Sequence, residues 1–202
     1  MGAEDALDPV LRLLVRQVPA GGLHVDLGCG RGRLLMLSQQ AGNAVLGIDN
    51  DPASVRYCES RGVPAVLADV QTGLAAVTEP IEAVSAVHFV EHVQPAELDE
   101  LFAAVSARLV DNGRFALVTP NFRDWRVASE IFWLDPTHVR PYPLPLLKAM
   151  GARHELLPLF ERTLYGCKGG VRLRASLPIR RIVFGSEYGR MNAVLILEKR
   201  RG

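Results

Sequence analysis

The sequence has no apolar stretch approaching the ~20 residues that a bilayer-spanning helix needs, so a membrane span is not expected. It also lacks a charge imbalance. With 23 Lys and Arg against 22 Asp and Glu, the formal net charge is +1, and no global field argues for nucleic acid or an acidic membrane surface. Cysteine is scarce: Cys29, Cys58 and Cys167 are odd in number, scattered and without a Cys-x-x-Cys pair. That excludes a disulfide framework and reads as reduced thiols of a cytoplasmic protein. The opening Met1-Gly2-Ala3-Glu4-Asp5 is acidic where a secretory signal is basic, and Ala6 breaks the myristoylation pattern. Internal repeats, low-complexity tracts and linkers are absent as well. What remains is an ordinary globular composition. A chain of 202 residues with 49% hydrophobic and 22% charged side chains suits one domain over 1–202 with a full core.

Within the N-terminal segment 1–20, the spacing of Leu7, Val10, Leu11, Leu14 and Val18 predicts an amphipathic helix over 4–18, ended by Pro19 and Gly21-Gly22. The pattern then alternates. Short apolar strands are predicted at 23–27, 44–48, 63–68, 81–89 and 113–119, with helices to residue 40, over 52–62 and over 95–110. Repeating strand–helix units imply a parallel sheet with helices on both faces, the doubly wound, Rossmann-like α/β arrangement. A helix over 143–151 and strands over 155–160 and 191–198 would bring the sheet to seven strands. Residues 120–142, rich in proline and aromatics, are too long for a simple connection and are predicted to form a lid inserted after strand 5.

The strongest local signal is His24-Val25-Asp26-Leu27-Gly28-Cys29-Gly30-Arg31-Gly32. A buried strand runs into a Gly-x-Gly-x-Gly turn and then a helix, so backbone amides face a ligand that no Cβ obstructs. A dinucleotide fold prefers its third glycine one place later, where Arg33 stands. Asp26, in an apolar strand, is costly to bury without an amine or amide partner. Asp49 ends the second strand at the distance from Gly28 where an acid meets ribose hydroxyls, and Asp69 ends the third, where an adenine amine would lie. Asp49 and Asp69 taken singly could equally cap the turns that follow. Three acids at three successive strand ends are better explained by one shared adenosine site.

In order and spacing, VDLGCGRG, GIDNDP, LADV and GRFALVTPN resemble the motifs of class I S-adenosylmethionine (SAM)-dependent methyltransferases over roughly residues 20–120. The resemblance implies SAM as cofactor, an antiparallel last strand, and a binding set of Asp26, Gly28, Gly30, Gly32, Asp49, Asn50, Asp69, Val70 and His88. Asp26 and the glycines would hold the methionine end, Asp49 the ribose, and Asp69 or Val70 the adenine.

Strand 4 ends in His88-Phe89-Val90-Glu91-His92-Val93. The Asn/Asp-Pro-Pro-aromatic turn of DNA base N-methyltransferases is absent, which disfavours a base amine as acceptor. The segment instead resembles the FVEH stretch of two O-methylating groups, ubiquinone-biosynthesis enzymes and small-RNA terminal 2′-O-methyltransferases. Those often carry Glu-x-x-Glu-His and a later histidine, and bind a divalent metal that chelates neighbouring hydroxyls. Here His88 replaces the first Glu, and His138 of Asp135-Pro136-Thr137-His138-Val139-Arg140-Pro141-Tyr142 is the candidate for the later histidine. The resemblance implies Mg²⁺ or Mn²⁺ on Glu91, His92 and His138. The residues themselves leave three readings open: a metal that lowers a hydroxyl pKa, a metal-free histidine base, or a histidine that only satisfies a hydrogen bond.

Trp125, Trp133, Arg140 and Tyr142 of the predicted lid are expected to meet the acceptor, aromatic faces suiting sugar rings and arginine suiting anions; the same aromatics would also serve a satellite core over the sheet. TPN and DPTHVRPY resemble bacterial methyltransferases acting on surface or storage polysaccharides. The expected activity is therefore O-methylation of a sugar, polysaccharide or glycoconjugate hydroxyl, with Glu91, His92 and His138 catalytic. Methylation of a small phenol or quinone precursor, RNA ribose 2′-O-methylation, a non-catalytic SAM sensor and a nicotinamide dehydrogenase are the rivals. Arg33 in the third-glycine place counts against the last, and the intact Glu91-His92 and THVR residues count against a pure sensor. The expected partner is a small-molecule or oligosaccharide acceptor, with a homodimer the arrangement expected if the chain self-associates. Residues 167–182 hold five basic and no acidic side chains. They read as an anion entrance or a solvated face, and poor aromatic interleaving disfavours RNA.

Overall fold

The computed structural model describes residues 3–165, 180, 182 and 185–200. Of the residues singled out above, Cys167 and the 167–182 segment lie outside that set apart from positions 180 and 182, as does the side chain of Leu7. The first helix, α1 (Ala3–Val15), leads into β1 (Leu23–Leu27), α2 (Arg33–Gln40), β2 (Ala44–Asp49), α3 (Pro52–Ser60), β3 (Ala65–Leu67), α4 (Val70–Ala76) and β4 (Ile81–Val87). After a 3-10 turn at Val90–His92 come α5 (Pro95–Arg108), β5 (Leu109–Pro120), α6 (Trp125–Ser129), a second 3-10 turn, α7 (Leu144–Arg153), β6 (Leu156–Leu164) and β7 (Asn192–Lys199).

The seven strands form one sheet in the order β3-β2-β1-β4-β5-β7-β6. All neighbours are parallel except β7, which runs antiparallel to both β5 and β6. This is the doubly wound, Rossmann-like sheet that the alternating pattern predicts, with the antiparallel last strand that the resemblance to class I methyltransferases implies. Strand alternation feeds a core on each face. Phe115 and Leu117 of β5 with Leu195 and Leu197 of β7 pack under α4, α5 and α7. Their neighbours Ala116, Val118, Val194 and Ile196 pack against Val10, Leu11 and Leu14 of α1 and Leu34 of α2. Among the described residues no helix is long and apolar enough to cross a membrane.

The helix starts are set by local chemistry. Asp51 accepts from the amides of Ala53 and Ser54 at 3.0 Å each and Pro52 follows it, so α3 begins there. The Glu97 carboxylate accepts from the Gln94 amide at 3.3 Å at the start of α5. Several boundaries differ from expectation, and three of the differences have a clear local cause. Helix α4 lies in a stretch with no predicted element, because seven residues with a glycine in the middle are too short to display a helical period. Strand β5 begins at Leu109 instead of 113, because Leu109 pairs with Ile81 across a register shift and so ends α5 early. Strand β4 stops at Val87 because His88 takes a left-handed φ of 50°. The 120–142 segment, expected as a lid, is itself folded, containing α6 and the 3-10 turn Ile131–Leu134.

One residue holds that segment down. Asp124 is 1% exposed, accepts from the Gly189 amide at 2.7 Å, and meets the Arg126 guanidinium at 2.6 Å while capping α6. Asp124→Ala removes the α6 cap and the acceptor of the Gly189 amide and the half-buried Arg126 guanidinium, and should cost about 2 kcal/mol in urea denaturation. A loss under about 0.5 kcal/mol would show that the anchor is dispensable.

Candidate functional site

The carboxyl ends of β1, β2 and β4 meet beside the glycine turn, where open α/β sheets bind ligands. Gly28 and Gly30 have φ of 65° and 51°, open to glycine at little cost. A Cβ on Gly28 would lie 2.6 Å from the Phe89 ring, whereas one on Gly30 would meet nothing within 4 Å. The turn is therefore packed on its inner side and open at Gly30. The Gly28 and Cys29 amides both donate to the Ile48 carbonyl, at 2.8 and 3.2 Å, which ties the turn to β2.

Asp49 closes the turn from the other side, accepting from the Gly30 amide at 2.7 Å and the Asp51 amide at 2.9 Å. A carboxylate accepts about four hydrogen bonds, so Asp49 keeps capacity for a ligand. Asp26 is 3% exposed and accepts from the Ser85 hydroxyl at 2.5 Å. Burial pushes its pKa up from 3.8 to about 7, with Asp49 adding repulsion and the Ser85 hydrogen bond working against both. Asn50 is exposed beside Asp49. Asp69 is exposed and caps α4 by accepting from the Thr72 amide at 2.9 Å, and Val70 is half-buried at the first turn of that helix. The structure thus brings Asp26, Gly28, Gly30, Gly32 and Asp49 to one turn, and places Asp69 and Val70 at the start of the next crossover.

At the end of β4 the left-handed His88 turns the chain into the 3-10 turn that carries Glu91 and His92. His88 is a bracket: its Nδ1 lies 3.0 Å from Glu91 Oε1 and its Nε2 2.9 Å from Asn192 Oδ1 on β7. Glu91 is fully buried and its Oε2 has no hydrogen-bond partner. The folded 120–142 segment returns to this turn, where the Val139 amide donates to the Glu91 carbonyl at 2.8 Å. That contact delivers His138, whose ring centroid lies 4.8 Å from that of His92. Glu91, His92 and His138 each offer a ligand atom within 4.8 Å of the others.

Both histidines are oriented from behind. His138 Nδ1 lies 2.6 Å from the Phe132 carbonyl, which can only accept, and the two rings stack at 4.3 Å. His92 Nδ1 lies 3.2 Å from the Thr137 carbonyl and 3.0 Å from its hydroxyl, which itself donates to Asp135 at 2.6 Å. These acceptors place a hydrogen on Nδ1 of each ring, which in the neutral tautomer leaves the lone pair on Nε2.

The four residues expected to meet an acceptor divide. Trp125, Trp133 and Arg140 are exposed, the tryptophans by 49% and 57%. Tyr142 is 1% exposed and donates its hydroxyl to the Val93 carbonyl at 2.8 Å, so it packs in the core and anchors the end of the segment. A cavity of about 660 Å³ opens at the carboxyl end of β5, lined by Phe122, Arg123, Lys148, Arg162 and Arg190 among others. Its Phe122 wall touches Phe132 at 5.0 Å, and Phe132 in turn stacks on His138. Sequence reasoning did not find Ser85, Asn121, Asp124 or Asn192. All four are buried and polar, but only Ser85, which interrupts the apolar run Ala83-Val84-Ser85-Ala86-Val87, carried a signal in the sequence.

The fold is shared widely. A SAM-dependent methyltransferase from Archaeoglobus fulgidus superposes with a TM-score of 0.82 at 20% identity, over 96% of this chain and 94% of that one. The 1,6-didemethyltoxoflavin-N1-methyltransferase of Burkholderia thailandensis gives 0.67 at 16% identity, over 97% and 79%. A cyclopropane synthase from Mycobacterium tuberculosis gives 0.68 at 15% identity, over 97% and 85%. No curated protein sequence matches the chain. The profile of the family described as "Methionine biosynthesis protein MetW" matches residues 9–139, from α1 through the glycine turn and the Glu91-His92 turn to His138. That is well over half of the sequence, and the chain belongs to the MetW family.

Proposed function

We propose that this protein is a SAM-dependent methyltransferase that acts on a hydroxyl group, with a sugar or glycoconjugate as the acceptor class. The observation that carries the reading is the unpartnered, buried Oε2 of Glu91 beside two histidines whose Nε2 lone pairs are set by hydrogen bonds from behind. Such a group can take up a hydroxyl proton or hold a divalent cation that acidifies the hydroxyl.

The glycine turn fits SAM. Gly30 is open to close approach, Asp49 retains acceptor capacity for ribose hydroxyls, and Asp26 supplies a buried carboxylate for an ammonium group. Bound SAM would supply a methyl group already activated on a sulfonium. The protein's share is then to place the acceptor oxygen in line and remove its proton. Nε2 of His92 or His138 takes the proton directly in one form of the reading. In the other, Glu91, His92 and His138 hold Mg²⁺ or Mn²⁺, with His88 steadying Glu91. Exposed Trp125, Trp133 and Arg140 lie on the segment that carries His138, as contacts for a ring-shaped, polar acceptor. The family description favours a second reading, in which the acceptor is a small molecule of methionine biosynthesis.

Calorimetry tests the reading. S-adenosylhomocysteine should bind with about micromolar affinity, and Asp49→Ala should weaken it by about tenfold or more. A complete absence of binding overturns the cofactor assignment. A panel of sugars, catechols and hydroxy- or thiol-bearing amino acids, with and without Mn²⁺, separates the acceptor classes.

A further inference from the structure

A polar thread crosses the core beneath the glycine turn. The Gly21 amide lies 3.0 Å from Asn43 Oδ1, and Asn43 Nδ2 lies 3.1 Å from the Ser38 hydroxyl. Ser38 Oγ lies 2.9 Å from His24 Nδ1, and His24 Nε2 lies 2.8 Å from Ser85 Oγ. Ser85 then reaches Asp26 at 2.5 Å. His24, Ser38 and Ser85 are at most 1% exposed, and Asn43 is 7% exposed.

The Gly21 end leaves no choice of direction, and the ionised form of Asp26 fixes the other end. The Gly21 amide can only donate, so Asn43 must present Oδ1 to it and its amide hydrogens to Ser38. At the far end an ionised Asp26 can only accept, so in that form Ser85 donates to it. Ser85 has one hydrogen, so it must accept from His24 Nε2–H. His24 Nδ1 is then a lone pair, and Ser38 donates to it. Every hydrogen in the thread is thereby assigned, from the Gly21 amide to Asp26 Oδ1. Burial holds the His24 pKa down at about 4, so the imidazole stays neutral across the physiological range and the thread keeps this direction whenever Asp26 is ionised.

We propose that Asn43, Ser38, His24 and Ser85 form a directed hydrogen-bond relay that fixes the Asp26 carboxylate to receive the ammonium group of the cofactor, making them positioning residues for SAM binding. This rests on the reading of the glycine turn as a SAM site. Apart from His24, which opens the His24–Gly32 stretch, none of them lies in the motifs that suggest that site. Ser38 and Asn43 sit on α2 and the loop after it, one and two hydrogen bonds behind His24.

A buried polar thread that served only stability would change the melting temperature and leave ligand affinity alone. A relay acts through its neighbours, so its members are non-additive. The test is a double-mutant cycle read by S-adenosylhomocysteine calorimetry, with thermal melting of each ligand-free variant alongside. Ser85→Ala should weaken binding by about tenfold or more and Ser38→Ala by about threefold or more. The double variant should bind no more weakly than Ser85→Ala, because the thread is already cut. Ser38→Thr, which keeps the hydroxyl, should restore most of the affinity. If Ser85→Ala does not fold, the near-isosteric Ser85→Cys completes the cycle. Additive losses, or a Ser38→Ala variant that melts lower yet binds like the wild type, would overturn the relay. A wild-type protein that fails to bind S-adenosylhomocysteine would overturn the cofactor reading and the relay with it, and the same titration separates that outcome from the others.

Discussion

Asp26→Asn should weaken S-adenosylhomocysteine binding by about 100-fold at pH 8 while raising the melting temperature of the ligand-free protein at that pH. The two effects have one cause. Burial favours the neutral acid and pushes the Asp26 pKa from 3.8 to about 7. A folded-state pKa above the unfolded one means that the folded state binds the extra proton. The stability this contributes is fully present below about pH 3.8 and is lost as pH rises through about 7. At pH 8 the free protein therefore carries a buried carboxylate at a cost, and an asparagine that still accepts from Ser85 removes it. A ligand ammonium reverses the balance, because it pairs only with the ionised form. Affinity of the wild type should fall by about tenfold per unit as pH drops below the Asp26 pKa, and Asp26→Asn should show no such slope. The ionisable groups around Asp26 are Asp49 on β2, His24 on its own strand, Cys29 in the turn and Cys58 on α3. His24 is already neutral in this range, and burial raises both thiols, so neither type of group competes for the transition. A flat affinity profile from pH 8 to pH 6 would remove Asp26 from the ligand contact.

The parallel sheet was legible because its central strands β1 and β4 are buried on both faces and read as largely apolar runs, set apart by glycine and proline, while β3 at the edge is exposed. The cofactor turn was legible for a related reason. Gly28 and Gly30 occupy backbone conformations that other residues adopt with strain, and Asp26 and Asp49 interrupt apolar strands at their ends. What stayed hidden depends on residues far apart in sequence. Nothing local says that His24 reaches Ser85 across the sheet, or that Asn43 closes the thread at Gly21. Tyr142 resembles its aromatic neighbours in composition, yet its place over Val93 makes it core while Trp133 stays outside. Asp69 was ambiguous in sequence and its geometry suits a helix cap, which a strand end followed by an unrecognised seven-residue helix could not disclose. The pairing of Glu91 with His138 was suggested by resemblance alone, and the route by which it arises, a backbone bond from Val139 to the Glu91 carbonyl, has no sequence signature.

Glu91→Gln should weaken Mn²⁺ binding by at least about 30-fold and, in a metal-chelating buffer, raise the melting temperature. The side chain is fully buried, one oxygen faces His88 and the other has no partner, so the fold carries an incompletely compensated acid. An isosteric amide keeps the His88 contact and removes the charge, which is often neutral or stabilising at a buried site. If the cluster holds a cation, the wild type should bind Mn²⁺ in calorimetry and gain stability from it by mass action. Glu91→Gln should lose at least about 30-fold in that affinity with S-adenosylhomocysteine binding largely retained, since the hydrogen-bond partners of Glu91 among the described residues are His88, Val139 and Arg140 and not the glycine turn. His138→Ala should lose most turnover, retain S-adenosylhomocysteine binding and weaken Mn²⁺. The metal-free alternative gives a different pattern: no Mn²⁺ binding by the wild type, and turnover lost in His138→Ala or His92→Ala with a pH profile set by a histidine base. Full turnover in both Glu91→Gln and His138→Ala would take the cluster out of the chemistry and leave the orphaned Oε2 as a cost to the fold without a return.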